Sequence, residues 1–314
     1  MRLRTIFMGT PQLAAVSLEA LLRSPDIEIV AVVTQPDQPK GRGLKLQASP
    51  VKEVALGSNL PVLQPARARE ENHIQELRAL NPELIVVAAY GQILPKTTLE
   101  IPRYGCINVH TSLLPKYRGA APIQWALLNG DEITGVTIMK MDVGMDTGPI
   151  ISTAETPIQA SDNSETLHDR LAMLGAELLL KTIPDYASEK IHPRPQPAEG
   201  VSHAPKIRKQ DGLIDWKQPA RSVWNRVRAM VPWPGAFTHL RNDPKAELLK
   251  IFQAEVLEES GRAGEILRAS KTGIVIGCGQ GALNVVMIQP EGSRRMTAAE
   301  FLAGHPMKPG QVLS

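Results

Sequence analysis

The sequence predicts an α/β chain: a parallel sheet covered by helices on both faces, followed by a smaller all-β barrel or sandwich. Three observations predict this. In the first half, short apolar runs alternate with helical apolar periods, and strands separated by helices form parallel sheets buried on both faces. The end of the chain instead carries short strand-like runs punctuated by glycine. Between the two lies a Pro-rich stretch with few apolar residues, "EKIHPRPQPAEGVSHAPKI" (189–207).

Taken in order, "LRTIFMG" (3–9) reads as a strand and "LAAVSLEALLRS" (13–24) as an amphipathic helix. "IEIVAVVTQ" (27–35) and "ELIVVAAYG" (83–91) are further strands, and "YGCINVH" and "TGVTIMKM" add two more. "SETLHDRLAMLGAELLLKTIPDY" (164–186) is a long helix, with Leu167, Leu171, Leu174 and Leu178 expected on its apolar face. Beyond the Pro-rich stretch, "ELLKIFQAEVLE", "AGEILRAS", "TGIVIGCGQGALNVVMIQP" and "PGQVLS" are the short strands. Two domains are therefore expected, residues 1–188 and 208–314, joined by a surface linker over 189–207.

The chain has 314 residues, 43% of them apolar, enough for two proper cores. Cys106 and Cys278 stand far apart without CxxC or Cys/His spacing, so neither a disulfide framework nor a zinc site is expected, and a reducing, cytoplasmic setting fits. The apolar run before Gly9 is only three residues long, too short for a signal peptide, and no later run approaches the roughly 18 a membrane helix needs. The net charge of +3 is unevenly spread. Residues 206–314 carry 16 Lys/Arg against 10 Asp/Glu, whereas residues 1–205 carry 19 against 22. Such asymmetry suits a polyanion-binding surface, although a solvated basic face produces it equally well.

"FMGTPQLA" has one glycine where dinucleotide binding needs G-x-G-x-x-G, which argues against a nicotinamide dehydrogenase. Open parallel sheets still bind ligands beyond the carboxyl ends of their strands. Asn108 and His110, two apart on one strand, point to the same face there, and Asp146 follows the next strand in "MDVGMDTGPI". An imidazole held by a carboxylate can shuttle a proton, and an amide N–H can meet a developing oxyanion, a combination suited to acyl or formyl transfer. A structural histidine and a turn-capping asparagine fit the same spacing. The "DVGMDTG" loop lacks the oxygen ligands of a calcium site, and no Ser or Cys stands in a nucleophile elbow. His73, His168, His192, His203, His239 and His305 are expected at the surface.

The strings "INVHTSLLPKYRGAAPIQWALLNGD" and "TGVTIMKMDVGMDTGPII" resemble the formyltetrahydrofolate-dependent formyltransferases, whose Asn, His and Asp match Asn108, His110 and Asp146. "FMGTP" (7–11), "TQPDQPKGRGLKLQASPVK" (34–52), "PVLQP" (61–65), "AAYGQILP" (88–95), "APKIRKQDGLIDW" (204–216) and "RAMVPWPGAF" (228–237) resemble, in order, the members that act on aminoacylated initiator tRNA. Gln12-Leu13 stands where that branch usually has Asp-Phe, and His203 where it has Tyr.

This resemblance implies a Rossmann-like catalytic domain and a C-terminal barrel of the OB type. It also implies 10-formyltetrahydrofolate as co-substrate, methionyl initiator tRNA as acceptor, and no metal; we expect a monomer. Asn108 and a protonated His110 would stabilise the oxyanion, and Asp146 would favour the charged ring and help move the amine proton to the leaving folate. The folate is expected against Ser112, Leu113, Leu114 and Pro115, with Tyr90, Gly91, Ile93 and Leu94 lining the pterin pocket. Lys40, Arg42 and Lys45, in a polar loop at 35–47, are implied to enter the acceptor end of the tRNA, with Lys206, Arg208 and Lys209 as further phosphate contacts. Lys116 and Arg118 could hold an anionic substrate or simply be solvated. Other outcomes of the same trio are a glycinamide ribonucleotide or sugar-nucleotide formyltransferase and formyltetrahydrofolate hydrolysis. An RNA-binding module with an inactive catalytic domain is the reading from another class.

Overall fold

The computed structural model describes residues 2–40, 45–240 and 247–314. Contacts divide the chain into two compact units. One comprises Met1–Pro122, Ile133–Pro157 and His168–Ala204, the other Ile123–Glu132, Ile158–Leu167 and Pro205–Ser314.

The first unit opens with strand β1 (Leu3–Gly9), helix α1 (Gln12–Arg23) and strand β2 (Ile27–Val33). A short ribbon, β3 (Gln38–Lys40) and β4 (Lys45–Gln47), precedes α2 (Pro50–Gly57), whose N-terminus is capped by the Ser49 hydroxyl accepting from the Lys52 amide at 3.1 Å. Then come β5 (Val62–Leu63), α3 (Glu71–Ala79), β6 (Leu84–Ala88), α4 (Lys96–Leu99) and β7 (Cys106–His110). Helix α5 (Pro122–Asn129), β8 (Ile133–Lys140), β9 (Ile150–Pro157) and α6 (Ser164–Ala187) complete the first half of the chain.

Seven strands form one sheet in the order β5-β2-β1-β6-β7-β8-β9. The first five run parallel, and β6 is buried along its whole length, as the unbroken "LIVVA" run requires when helices cover both faces. Ile6, Phe7 and Met8 of β1 are likewise wholly buried, each such side chain contributing about 1.5–3 kcal/mol. The last two strands depart from an all-parallel sheet, since β8 and β9 are antiparallel. The residues account for this: beyond Ile151, β9 alternates half-buried with exposed positions, the mark of a strand with one solvated face.

On α6 the buried line is Leu167, Leu171, Gly175, Leu179 and Ile183, whereas Leu174 and Leu178 are only half-buried. The expected face was rotated by part of a turn, because Gly175 occupies the closest approach. A Cβ there would lie 2.9 Å from Val109 Cγ1, so glycine lets the helix settle on β7 between Asn108 and His110. His73, expected at the surface, is buried on α3 beside Ile74 and Leu77, and desolvation pushes its imidazole below the ordinary value.

The second unit contains α7 (Ala220–Ala229), β10 (Ala236–His239), β11 (Leu248–Leu257), β12 (Ile266–Ser270), β13 (Gly273–Gly277), β14 (Ala282–Pro290), β15 (Met296–Thr297) and α8 (Ala298–Gly304). Its strands form one antiparallel sheet in the order β10-β11-β14-β13-β12, with β15 against β14. Helix α7 buries Ala220, Val223, Val227 and Ala229, and a reciprocal Thr297–Glu300 capping box starts α8. The buried Trp216 indole donates to Thr238 Oγ1 at 3.0 Å. Among the described residues no helix is long and apolar enough to cross a membrane.

Replacing Gly175 by leucine should therefore overpack the α6–β7 contact and lower stability by about 1–3 kcal/mol. Urea denaturation checks this; an unchanged midpoint would show that the helix can shift without cost.

Candidate active site

Side chains alternate along β7, so Asn108 and His110 share one face while Val109 meets Gly175 on the other. The sheet order reverses beside β1, with β2 on one side and β6 on the other. An open cleft of about 480 Å³ lies beyond the carboxyl ends of β6 and β7, where parallel sheets place ligands; Tyr90, Gly91, Ile93, Asn108, His110 and Asp146 are among its walls. Among the described residues nothing is hydrogen-bonded to the Asn108 amide, which leaves its N–H groups for a ligand in the cleft.

The loop after β8 folds back to bring Asp146 Oδ2 within 3.8 Å of His110 Nδ1. The same carboxylate oxygen accepts the Gly119 amide at 2.8 Å. On the other side of the ring, His110 Nε2 lies 3.0 Å from the Tyr117 carbonyl. A carbonyl only accepts, so Nε2 carries the proton and, in the neutral ring, the Nδ1 lone pair is the available base. Burial pushes the imidazole below its ordinary value, outweighing the Asp146 charge and the Tyr117 carbonyl, which both raise it. Desolvation of a ring that is only 5% exposed thus favours its neutral form before reaction, whereas the resemblance implies a protonated ring at the oxyanion.

Of the residues expected to hold the folate, Tyr90, Gly91 and Ile93 line the cleft, and Leu94 lines an adjoining pocket of about 150 Å³ with Ile93 and Asp146. Ser112, Leu113, Leu114 and Pro115 line neither. Ser112 is fully buried and its hydroxyl donates to the Lys116 carbonyl at 2.6 Å. Thr137, paired with His110 across β7 and β8, donates to the Ser112 carbonyl at 2.7 Å and accepts the Leu114 amide at 3.1 Å. The Ser112 hydroxyl and carbonyl and the Leu114 amide of this turn are thus bonded within the protein. Lys116 sits with its ammonium 5.9 Å from the Tyr117 ring centre, and Arg118 gives its guanidinium to Gln196, so the two cations next to His110 are engaged within the protein.

The β3–β4 ribbon pairs Lys40 with Lys45 through the backbone, while Arg42 lies outside the described residues. The ribbon springs from a fixed base. Lys52 Nζ and Gln64 Nε2 donate to the Asp37 carboxylate at 2.7 and 2.8 Å, holding it below the usual carboxylate range, and Gln35 Nε2 donates to the Tyr90 carbonyl at 2.9 Å. Lys206, Arg208 and Lys209 are exposed in the second unit. Sequence reasoning missed the Tyr117 carbonyl, the Gly119 amide and Gln196; backbone groups carry no residue signature, and Gln196 sits in a Pro-rich stretch without periodicity.

The formyl transferase family model matches residues 1–183, and the model of the formyl transferase C-terminal domain matches residues 206–306. The chain is 49% identical over 311 residues to methionyl-tRNA formyltransferase of Citrifermentans bemidjiense, covering 99% of this chain and 96% of that one. Among solved structures it is similar in fold to the N-formyltransferase of Helicobacter canadensis, with a TM-score of 0.66 at 20% identity, covering 91% of this chain and 99% of that one. It is also similar in fold to a HypX variant from Aquifex aeolicus, with a TM-score of 0.65 at 19% identity; the match covers all of this chain but 51% of that longer one. With an Asn108–His110–Asp146 cleft in the first unit and both family models matched in order along the chain, this protein belongs to the formyl transferase family.

Proposed function

We propose that this chain transfers the formyl group of 10-formyltetrahydrofolate to the α-amino group of methionyl initiator tRNA, with Asn108, His110 and Asp146 as its catalytic residues. The observation that carries the reading is the near-full-length, 49% match to a protein named methionyl-tRNA formyltransferase. The neutral His110 beside Asp146, in a cleft with an unpaired amide, supports the assignment of roles. A 480 Å³ cleft and its 150 Å³ annex suit the ring system of a folate, with Tyr90, Gly91, Ile93 and Leu94 against it.

The amine attacks the formyl carbon, and the carbonyl oxygen becomes an oxyanion. Asn108 donates its amide N–H to that oxygen, an interaction strengthened only as charge develops. His110 Nδ1 takes the proton shed by the attacking nitrogen; Asp146 and the Tyr117 carbonyl then hold the new imidazolium between them. The charged ring reinforces the oxyanion and returns its proton to N10 of the folate as the C–N bond breaks. No covalent enzyme intermediate is needed. Lys40 and Lys45 of the ribbon, with Arg42, contact the acceptor end of the tRNA. Lys206, Arg208 and Lys209 supply phosphate contacts that position without reading bases.

The test is formyl transfer to methionyl initiator tRNA beside elongator methionyl-tRNA and glycinamide ribonucleotide. Selective formylation of the initiator is expected; transfer to a small amine alone would retain the trio and overturn the acceptor. Asn108→Ala should lower kcat by about 10²–10³-fold, the usual cost of one oxyanion donor, with the fold intact by circular dichroism. For Arg42→Ala the loss should appear in KM for tRNA and leave KM for the formyl donor unchanged. The rate should rise with pH through the His110 titration, because the neutral ring is the base. The midpoint of this acid limb should lie below the ordinary imidazole value of about 6.5, and removing the carboxylate in Asp146→Asn should move it lower still.

A further inference from the structure

The Pro-rich stretch expected to be a passive linker holds one side chain that ties both walls of His110 together. Gln196 Nε2 donates to the Asp146 carbonyl and to the Gly148 carbonyl, each at 2.8 Å. Its Oε1 accepts from Arg118 Nε at 3.1 Å and Nη2 at 2.7 Å. Both N–H groups and both lone pairs of the amide are thereby used. Arg118 directly follows Tyr117, whose carbonyl partners His110 Nε2, and directly precedes Gly119, whose amide holds the Asp146 carboxylate. One amide thus joins the segment that holds the ring from one side to the loop that presents the carboxylate on the other.

The loop needs such a tie. Asp146 has φ +54° and Tyr117 φ +62°, left-handed conformations that L side chains adopt only when their surroundings impose them. Backbone hydrogen bonds flank the tie and hold it in place. Arg194 and Ile150 exchange both their amides, at 2.7 and 2.8 Å, the Arg118 amide donates to the Ser202 carbonyl at 2.9 Å, and the Ala204 amide donates to the Arg118 carbonyl at 2.8 Å. The Ser202 hydroxyl also accepts the Tyr117 amide at 2.9 Å.

We infer that Gln196 is a positioning residue for the reaction, setting the distance between Asp146 and His110 through the paired loops rather than touching substrate. This rests on the catalytic reading given above. Without the Nε2 donors the Asp146 loop loses its anchor, the carboxylate drifts from the ring, and the imidazolium formed during transfer is less well held.

Gln196→Ala should lower kcat by about 10–100-fold, the scale of misplacing a catalytic group by about 1 Å, with KM for either substrate changed less than about 2-fold. Gln196→Glu keeps the acceptor for Arg118 but turns lone pairs toward two carbonyls, so it should be no better than alanine. In the Asp146→Asn background, Gln196→Ala should add little further loss, since both changes act on one interaction. The acid limb of the pH–rate profile should move to lower pH in Gln196→Ala, as the raising influence of Asp146 weakens. NMR titration of the His110 ring reads the same displacement without turnover, so a failure of the proposed reaction and a failure of the positioning role are separable. A fully additive loss in the double variant, or an unmoved His110 titration, would overturn the inference.

Discussion

The site depends on a single buried imidazole whose surroundings push its pKa down while placing a carboxylate and a carbonyl beside it. His110 is cut off from water, which favours the uncharged ring, but a carbonyl stands against Nε2 and a carboxylate stands beside Nδ1. Such a ring binds a proton poorly at rest and is well accommodated once it has one. That balance suits the role of base proposed for it, in which the proton arrives only as the amine attacks. Every nearby feature of the first unit bears on it. Thr137 locks the turn behind the ring, Gly119 orients the carboxylate, and Gly175 lets α6 close on the strand that carries it.

The cleft itself is a consequence of strand order. Because β2 and β6 lie on opposite sides of β1, the loops leaving these strands part, and the gap between them opens beside the ends of β6 and β7. The antiparallel β8–β9 pair adds what a parallel sheet could not. Its connecting loop is free of a crossover helix and can fold back over β7 to deliver Asp146. The loop is short of regular hydrogen bonds, and Asp142 compensates within it: its Oδ1 accepts the Gly144 amide at 3.0 Å and the Thr147 hydroxyl at 2.7 Å. Gln196 secures the other end.

Much of this was legible in the residues. Unbroken apolar runs such as "LIVVA" announced buried parallel strands, and the two-residue spacing of Asn108 and His110 put both on one face before any contact was known. Where the reading failed, residue type and spacing had not shown how the side chains pack. The α6 face was drawn through Leu174 and Leu178 because leucine pattern alone cannot show that a glycine marks the closest approach. His73 looked like a surface residue because its type is usually exposed, yet Ile74 and Leu77 carry it inward on α3.

The sequence by itself determined several parallel strands of the first half, the long helix α6, the residue types at the site and the family in which they occur, since local periodicity and short motifs are written along the chain. Only the tertiary structure decided the desolvation that lowers the His110 pKa and the use of Gln196 as a tie across two loops. These depend on desolvation and on hydrogen bonds between distant segments, such as Arg118 with Gln196, 78 residues apart, and no local pattern encodes either.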